Sequence, residues 1–175
     1  KVWTPFKSQD LPPNRKLIGS KWVFKQKKNG VSRARLVALG YNQVPGVDFT
    51  ENYAPVVHDA TLRILLIIFI LMRLSSEIID VETAFLYGNL EEEIYMKIPE
   101  GLSEVMDVDP EEDCLLLDKA LYGLVQAARQ WYKKFEKFLT EELGFQASET
   151  DPCLLFKEED GKIIYLCIYG PIIKT

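Results

Sequence analysis

Ile78-Ile79-Asp80-Val81-Glu82-Thr83-Ala84-Phe85 sets one carboxylate at the end of a short apolar run that then turns. The run predicts a buried strand over residues 77–81. A strand end holds a carboxylate more firmly than a loop does, which makes Asp80 a candidate metal ligand. Asp also closes many strands only because it favours the turn that follows. The neighbouring sequence decides between these readings.

Upstream, Asp59 or Thr61 can cap a helix running to about Leu74, whose nearly continuous apolar character implies burial on most sides. Its longest apolar run, Ile64 to Met72, lies between Arg63 and Arg73. That is about half of the ~20 residues a membrane span needs, so a core segment is expected. Downstream, Gly88-Asn89 breaks the chain, Glu91-Glu92-Glu93 is expected at the surface, and Ile94 to Ile98 alternates like a short strand. Residues 99–113 read as an acidic loop. The clearest helix is Lys119 to Leu143, with apolar residues at 121, 124, 128, 131, 135, 138 and 139 and Gly144 at the C′ position. Cys153 to Phe156 and Ile163 to Tyr169 read as strands joined through Asp160-Gly161.

The beginning of the chain, Lys1 to Asn14, carries Pro5, Pro12 and Pro13 and reads as an extended lead-in. Lys21 to Lys25 and Arg33 to Ala38 alternate at period two around Asn29-Gly30, which predicts a hairpin with a type I′ turn. Its polar face would carry Lys21, Lys25, Lys27, Arg33 and Arg35. Residues 1–40 hold ten bases and one acid, +9, whereas residues 41–175 hold eleven bases and twenty-five acids, −14. A polyanion can therefore dock on the first forty residues although the whole chain is acidic. Gly40 to Pro55 reads as irregular. The order of elements implies an α+β domain, with helices packed on one face of an antiparallel sheet.

At 47% hydrophobic and 27% charged, 175 residues suit one globular domain and argue against disorder. Cys114, Cys153 and Cys167 are odd in number and form no C-x-x-C pair, so neither a disulfide framework nor a zinc site is indicated. His58, the single histidine, has no neighbouring imidazole or thiol in sequence and suits a turn or packing role. No initiator Met or secretory pattern opens the chain, which leaves localisation open with an intracellular one expected.

Four stretches, in this order, resemble the reverse transcriptase (RNA-directed DNA polymerase) of copia-type retrotransposons: Arg33–Tyr41 (RARLVALGY), Thr50–Val56 (TENYAPV), Asp80–Met96 (DVETAFLYGNLEEEIYM) and Leu121–Tyr132 (LYGLVQAARQWY). Glu149–Leu154 (ETDPCL) follows the last. The resemblance implies the fingers and palm of a right-hand polymerase, residues 1–55 mostly fingers-like and 56–175 mostly palm-like, without the thumb and ribonuclease H domain. It implies two-metal nucleotidyl transfer with Mg²⁺ or Mn²⁺, on a template-primer of RNA or DNA and deoxynucleotides, with no membrane involved. By the family motif, Asp80 is a metal ligand joined by the Val81 carbonyl, and Phe85 stands against the sugar 2′ position. Tyr122 and Gly123 contact the nucleotide and template, and Lys27, Arg33 and Arg35 clamp the triphosphate.

Three departures bear on activity. Val125 stands where the family usually has Lys, and Ala128 where it has Pro. After Tyr169 the family places an apolar residue and two Asp, whereas this chain has Gly170-Pro171. Asp160 lies nine residues before Tyr169, ~30 Å along a strand, too far to substitute. The expectation is weak metal binding and little or no polymerisation. The alternative is a non-catalytic remnant that binds nucleic acid or protein through the basic hairpin. The strand ending at Tyr169 is expected to present an unpaired edge.

Overall fold

The computed structural model of the chain describes residues 1–169. Among them the strands are β1 (Trp3–Lys7), β2 (Ser20–Gln26), β3 (Ser32–Ala38), β4 (Tyr95–Lys97), β5 (Asp113–Leu117), β6 (Gln146–Ala147), β7 (Leu154–Glu159) and β8 (Lys162–Cys167). The α-helices are α1 (Asp59–Leu71) and α2 (Ala127–Lys137). This is the expected α+β class, but the strands form three antiparallel sheets, β1-β5-β4, β2-β3 and β6-β7-β8, instead of one. The chain divides into two compact units, Lys1–Tyr53 with Thr83–Trp131 and Ala54–Glu82 with Tyr132–Thr175.

In the first unit β5 is the central strand, and its Cys114, Leu115 and Leu117 are buried with Met96 of β4. Pro5 is accommodated because β1 is an edge, where a missing N–H costs least. Ile18 adds a short parallel bridge to Met96. Phe85, Leu121, Leu124 and Ala127 complete this core. The expected extended lead-in thus contains a paired strand, and the acidic loop ends in a buried one.

In the second unit Leu155 of β7 packs with Val57, Tyr132, Leu139, Cys153 and Ile168. Asp160 and Gly161 both have positive φ, 52° and 70°, which makes the β7–β8 connection the type I′ turn its dipeptide predicts. Gly144, at φ 73°, likewise takes the left-handed conformation expected at C′.

Four expectations fail for physical reasons. The expected strand over residues 77–81 is absent, because no described strand pairs with it; Ile78 and Ile79 are exposed. The helix expected from Lys119 begins at Ala127, since Gly123 at φ 92° breaks the ladder while Leu121 and Leu124 still reach the core from a turn. At its other end the helix widens into a π turn over Phe138–Glu142. Helix α1, expected to be buried on most sides, has no buried residue, because, of its apolar side chains, Leu62 is the one that packs, partly buried, against the second unit's core. At Asn29-Gly30 the turn is a three-residue loop in which Gly30 N–H donates to the Lys27 carbonyl, and only Gly30 has positive φ. No helix among the described residues is long and apolar enough to cross a membrane.

Candidate functional site

The register Lys25↔Arg33, Val23↔Arg35 and Lys21↔Val37 puts Lys21, Lys25, Arg33 and Arg35 on one face of the β2–β3 hairpin. Lys27 N–H donates to the Val31 carbonyl, which continues the same alternation into the loop and adds Lys27 to that face. Lys27 is exposed, and Arg33 and Arg35 are half-buried.

The end of β3 meets the turn before α2 backbone to backbone. Ala38 N–H donates to the Tyr122 carbonyl at 2.7 Å. A Cβ added to Gly123 would lie 2.1 Å from the Ala38 carbonyl oxygen, so only glycine permits this approach. The join places the Arg35 guanidinium over the Tyr122 ring, 4.6 Å from its centroid. Phe85 also packs against Tyr122, tilted, with centroids 4.8 Å apart and an interplanar angle of 51°. Phe85 is delivered by a single 3-10 turn, Ala84–Tyr87, that follows left-handed Thr83. Arg35, Tyr122 and Phe85 therefore form a continuous stack beside Gly123. The buried Arg35 Nε has no hydrogen-bond partner among the described residues, which leaves donor capacity in the stack.

Asp80 and Val81 belong to the other compact unit, where Asp80 is exposed in a segment without regular structure and Val81 is half-buried. No group of three His, Cys, Asp or Glu side chains gathers into a metal site among the described residues. The structure thus brings together Arg35, Phe85, Tyr122 and Gly123 within one unit, with Lys27 and Arg33 further along the same hairpin face. The Gly170-Pro171 departure lies outside the described residues.

The family described as reverse transcriptase (RNA-dependent DNA polymerase) matches residues 2–171. The chain is 40% identical over 170 residues to the Retrovirus-related Pol polyprotein from transposon TNT 1-94 of Nicotiana tabacum, covering 94% of this chain and 12% of that protein. It is 37% identical over 163 residues to the corresponding polyprotein from transposon RE2 of Arabidopsis thaliana, 90% of this chain and 11% of that protein. The Truncated transposon Ty1-A Gag-Pol polyprotein of Saccharomyces cerevisiae is 27% identical over 161 residues, 92% of this chain and 12% of that protein.

The chain belongs to the copia-type reverse transcriptase family.

It spans only about an eighth of the length of the curated relatives it matches. No solved structure matches it. Both departures in the fourth motif of this reverse transcriptase family member lie half-buried in the first unit. Val125 offers its N–H to the Gln43 side chain at 2.8 Å, and Ala128 packs half-buried against the first unit's core.

Two groups of functional interest escape a reading of the sequence. Gln43, Asp48 and Gln126 are buried polar residues joined by hydrogen bonds between segments far apart in sequence. Asp151, 1% exposed, accepts the His58 N–H at 2.9 Å and the Cys153 N–H at 3.0 Å. Burial pushes its carboxyl up, but hydrogen bonds from Thr61, His58 and Cys153 together hold it below the ordinary carboxylate value. Asp151 so caps the start of α1 from the other end of the second unit's sequence, and His58 serves as the N-cap residue. Burial raises the neighbouring Cys153 thiol to about 11, which keeps it neutral.

Proposed function

We propose that this chain is the fingers and palm part of a copia-type polyprotein's reverse transcriptase, with residues 1–55 mostly fingers and 56–175 mostly palm. The observation that carries the reading is the Arg35–Tyr122–Phe85 stack beside Gly123. In this reading Arg35, steadied by the Tyr122 face, neutralises triphosphate charge, and Lys27 and Arg33 extend the same positive face outward. Gly123 leaves its backbone open to the nucleotide and template. Phe85, buried against Tyr122, is the residue set against the sugar 2′ position.

Nucleotidyl transfer of this class uses divalent ions, Mg²⁺ or Mn²⁺, to activate the primer 3′-hydroxyl and stabilise the leaving pyrophosphate. Asp80 and the Val81 carbonyl would offer oxygens to such an ion, but no group of three His, Cys, Asp or Glu side chains gathers there among the described residues. That donor set does not fit a two-metal centre. With Gly170-Pro171 after Tyr169 in place of an apolar residue and two Asp, polymerisation by this chain is absent or nearly so. The open basic face of the β2–β3 hairpin favours a second reading, a non-catalytic nucleic-acid- or protein-binding remnant.

Filter binding of a labelled template-primer at low salt, followed by primer extension with Mg²⁺ or Mn²⁺, tests both. Binding without extension is expected. Clear extension would refute the loss of activity, and absence of binding at low salt would remove nucleic acid from both readings.

A further inference from the structure

We infer that Gln43 and Gln126 are positioning residues for the Tyr122–Gly123 turn, a buried relay of two amides that anchors this turn to the irregular segment 40–50. The inference rests on the proposed reading of that turn as a nucleotide-contacting face.

Gln43 and Gln126 are 7% and 0% exposed. Gln43 Oε1 accepts the Val125 N–H at 2.8 Å, and Gln43 Nε2 donates to Gln126 Oε1 at 3.0 Å. Gln126 Nε2 then donates to the Asp48 carbonyl at 2.9 Å and lies 3.5 Å from Glu92 Oε2. The far end is anchored in turn. Asp48 Oδ2 accepts the Val44 N–H at 2.7 Å, and Glu92 Oε1 accepts the Thr50 N–H at 3.2 Å. Arg15 Nη1 stands 3.8 Å from Asp48 Oδ1.

Each amide uses its carbonyl and its amino group on different partners, so the relay has one direction and reversing either amide breaks it. Apolar side chains of similar volume could fill this space without the risk of an unpaired buried dipole. What the amides add is a fixed location for the Val125 N–H, two residues beyond Gly123. Gly123 has no side chain and φ 92°; the turn is closed by Leu124 N–H on the Leu121 carbonyl at 3.2 Å and joined to β3 through the Tyr122 carbonyl, and the relay fixes it on its far side, beyond Leu124. Neither Gln is part of the Arg35–Tyr122–Phe85 stack. They act through the backbone that carries Tyr122.

The test replaces Gln43 with Met, which keeps the volume and removes both hydrogen bonds. Amide hydrogen exchange is read at Val125 and, as references in the sheet core, at Met96 and Leu115, with binding of the fluorescent nucleotide mant-dTTP read alongside. Exchange at Val125 is expected to rise, and mant-dTTP affinity to fall, by roughly 3- to 10-fold, the worth of about one hydrogen bond, with Met96 and Leu115 unchanged. A second variant, Gln43→Glu, keeps an acceptor for Val125 but lacks the donor to Gln126 until it is protonated. Its Val125 protection is expected to recover as pH falls, relative to Gln43→Met, in which Asp48, Glu92 and Arg15 face the same space. A uniform rise in exchange at all three amides, no rise at Val125, or no recovery in Gln43→Glu would overturn the relay. Failure of the parent chain to bind mant-dTTP would instead overturn the nucleotide reading, since the exchange pattern decides the relay independently of any ligand.

Discussion

A Cβ placed on Gly40 would stand 2.0 Å from the carbonyl oxygen of Gly123. The two segments that build the candidate site are therefore in backbone contact, and Gly40→Ala must push them apart. Overpacking of this kind costs about 1–3 kcal/mol. Gly123→Ala adds the strain of a left-handed residue, about 1–3 kcal/mol more. Gly30→Ala, where φ is 82° but nothing lies within 4 Å, bears the strain alone. Urea unfolding midpoints should rank Gly123→Ala as the most damaging of the three; equal losses would show that close approach is not what these glycines permit.

The stack of Arg35 on Tyr122 makes a second prediction that separates the ring face from the hydroxyl. Tyr122→Phe keeps the face and should leave affinity for a deoxynucleoside triphosphate nearly unchanged. Tyr122→Leu removes it and should weaken binding by about 0.5–2 kcal/mol, the range for a cation–π contact between exposed and desolvated settings. Titration of mant-dTTP into both variants measures the difference, and equal affinities would dissociate Arg35 from the nucleotide.

Asp151 predicts how the second unit responds to acid. Its carboxyl is held below the ordinary value, so the folded chain binds fewer protons there than the unfolded chain. The stabilisation is complete above the unfolded pKa of about 3.9 and is lost as pH falls through the lower folded value. Asp151→Asn, which can accept from only one of the two backbone N–H groups, should cost about 1.5–3 kcal/mol near neutral pH. The gap between parent and variant should close below about pH 4 in denaturant melts. A gap that widens in acid would assign the carboxyl a raised value instead.

What could be read from the sequence followed how local each determinant is. Asp160-Gly161 dictates its own turn, and its hairpin was legible. Asn29-Gly30 carries a similar signal, but the register Gln26↔Ser32 leaves a longer loop that needs only one left-handed residue. Leu121, Leu124 and Ala128 keep helical spacing through a turn that is not helical, so the periodicity ran past the true start at Ala127. The strand around Asp80 failed because a strand exists only against a partner edge, and apolar content does not name one. Arg35 was legible in the alternation of the hairpin, whereas Phe85, Tyr122 and Gly123 were reached through family resemblance, not through pattern. Gln43 and Gln126, 83 residues apart, left no periodic trace, since a hydrogen bond between two amides imposes no spacing on the chain.

The basic face of the β2–β3 hairpin predicts a salt dependence. Residues 41–175 carry −14, so a nucleic acid that binds this chain must do so where the positive charge is concentrated. Each phosphate neutralised contributes about 0.7–0.9 to the slope of log affinity against log salt. Replacing Lys21, Lys25 and Lys27 by Gln removes three charges from one face, without touching Arg35 or its stack, and should flatten that slope by about 2–3 for a template-primer. The loss should be the same for every template sequence, because phosphate contacts carry no base information. Filter binding between 50 and 200 mM salt reads the slope. If the slope is unaltered, the nucleic acid docks elsewhere, and the hairpin's charge is a solvated face.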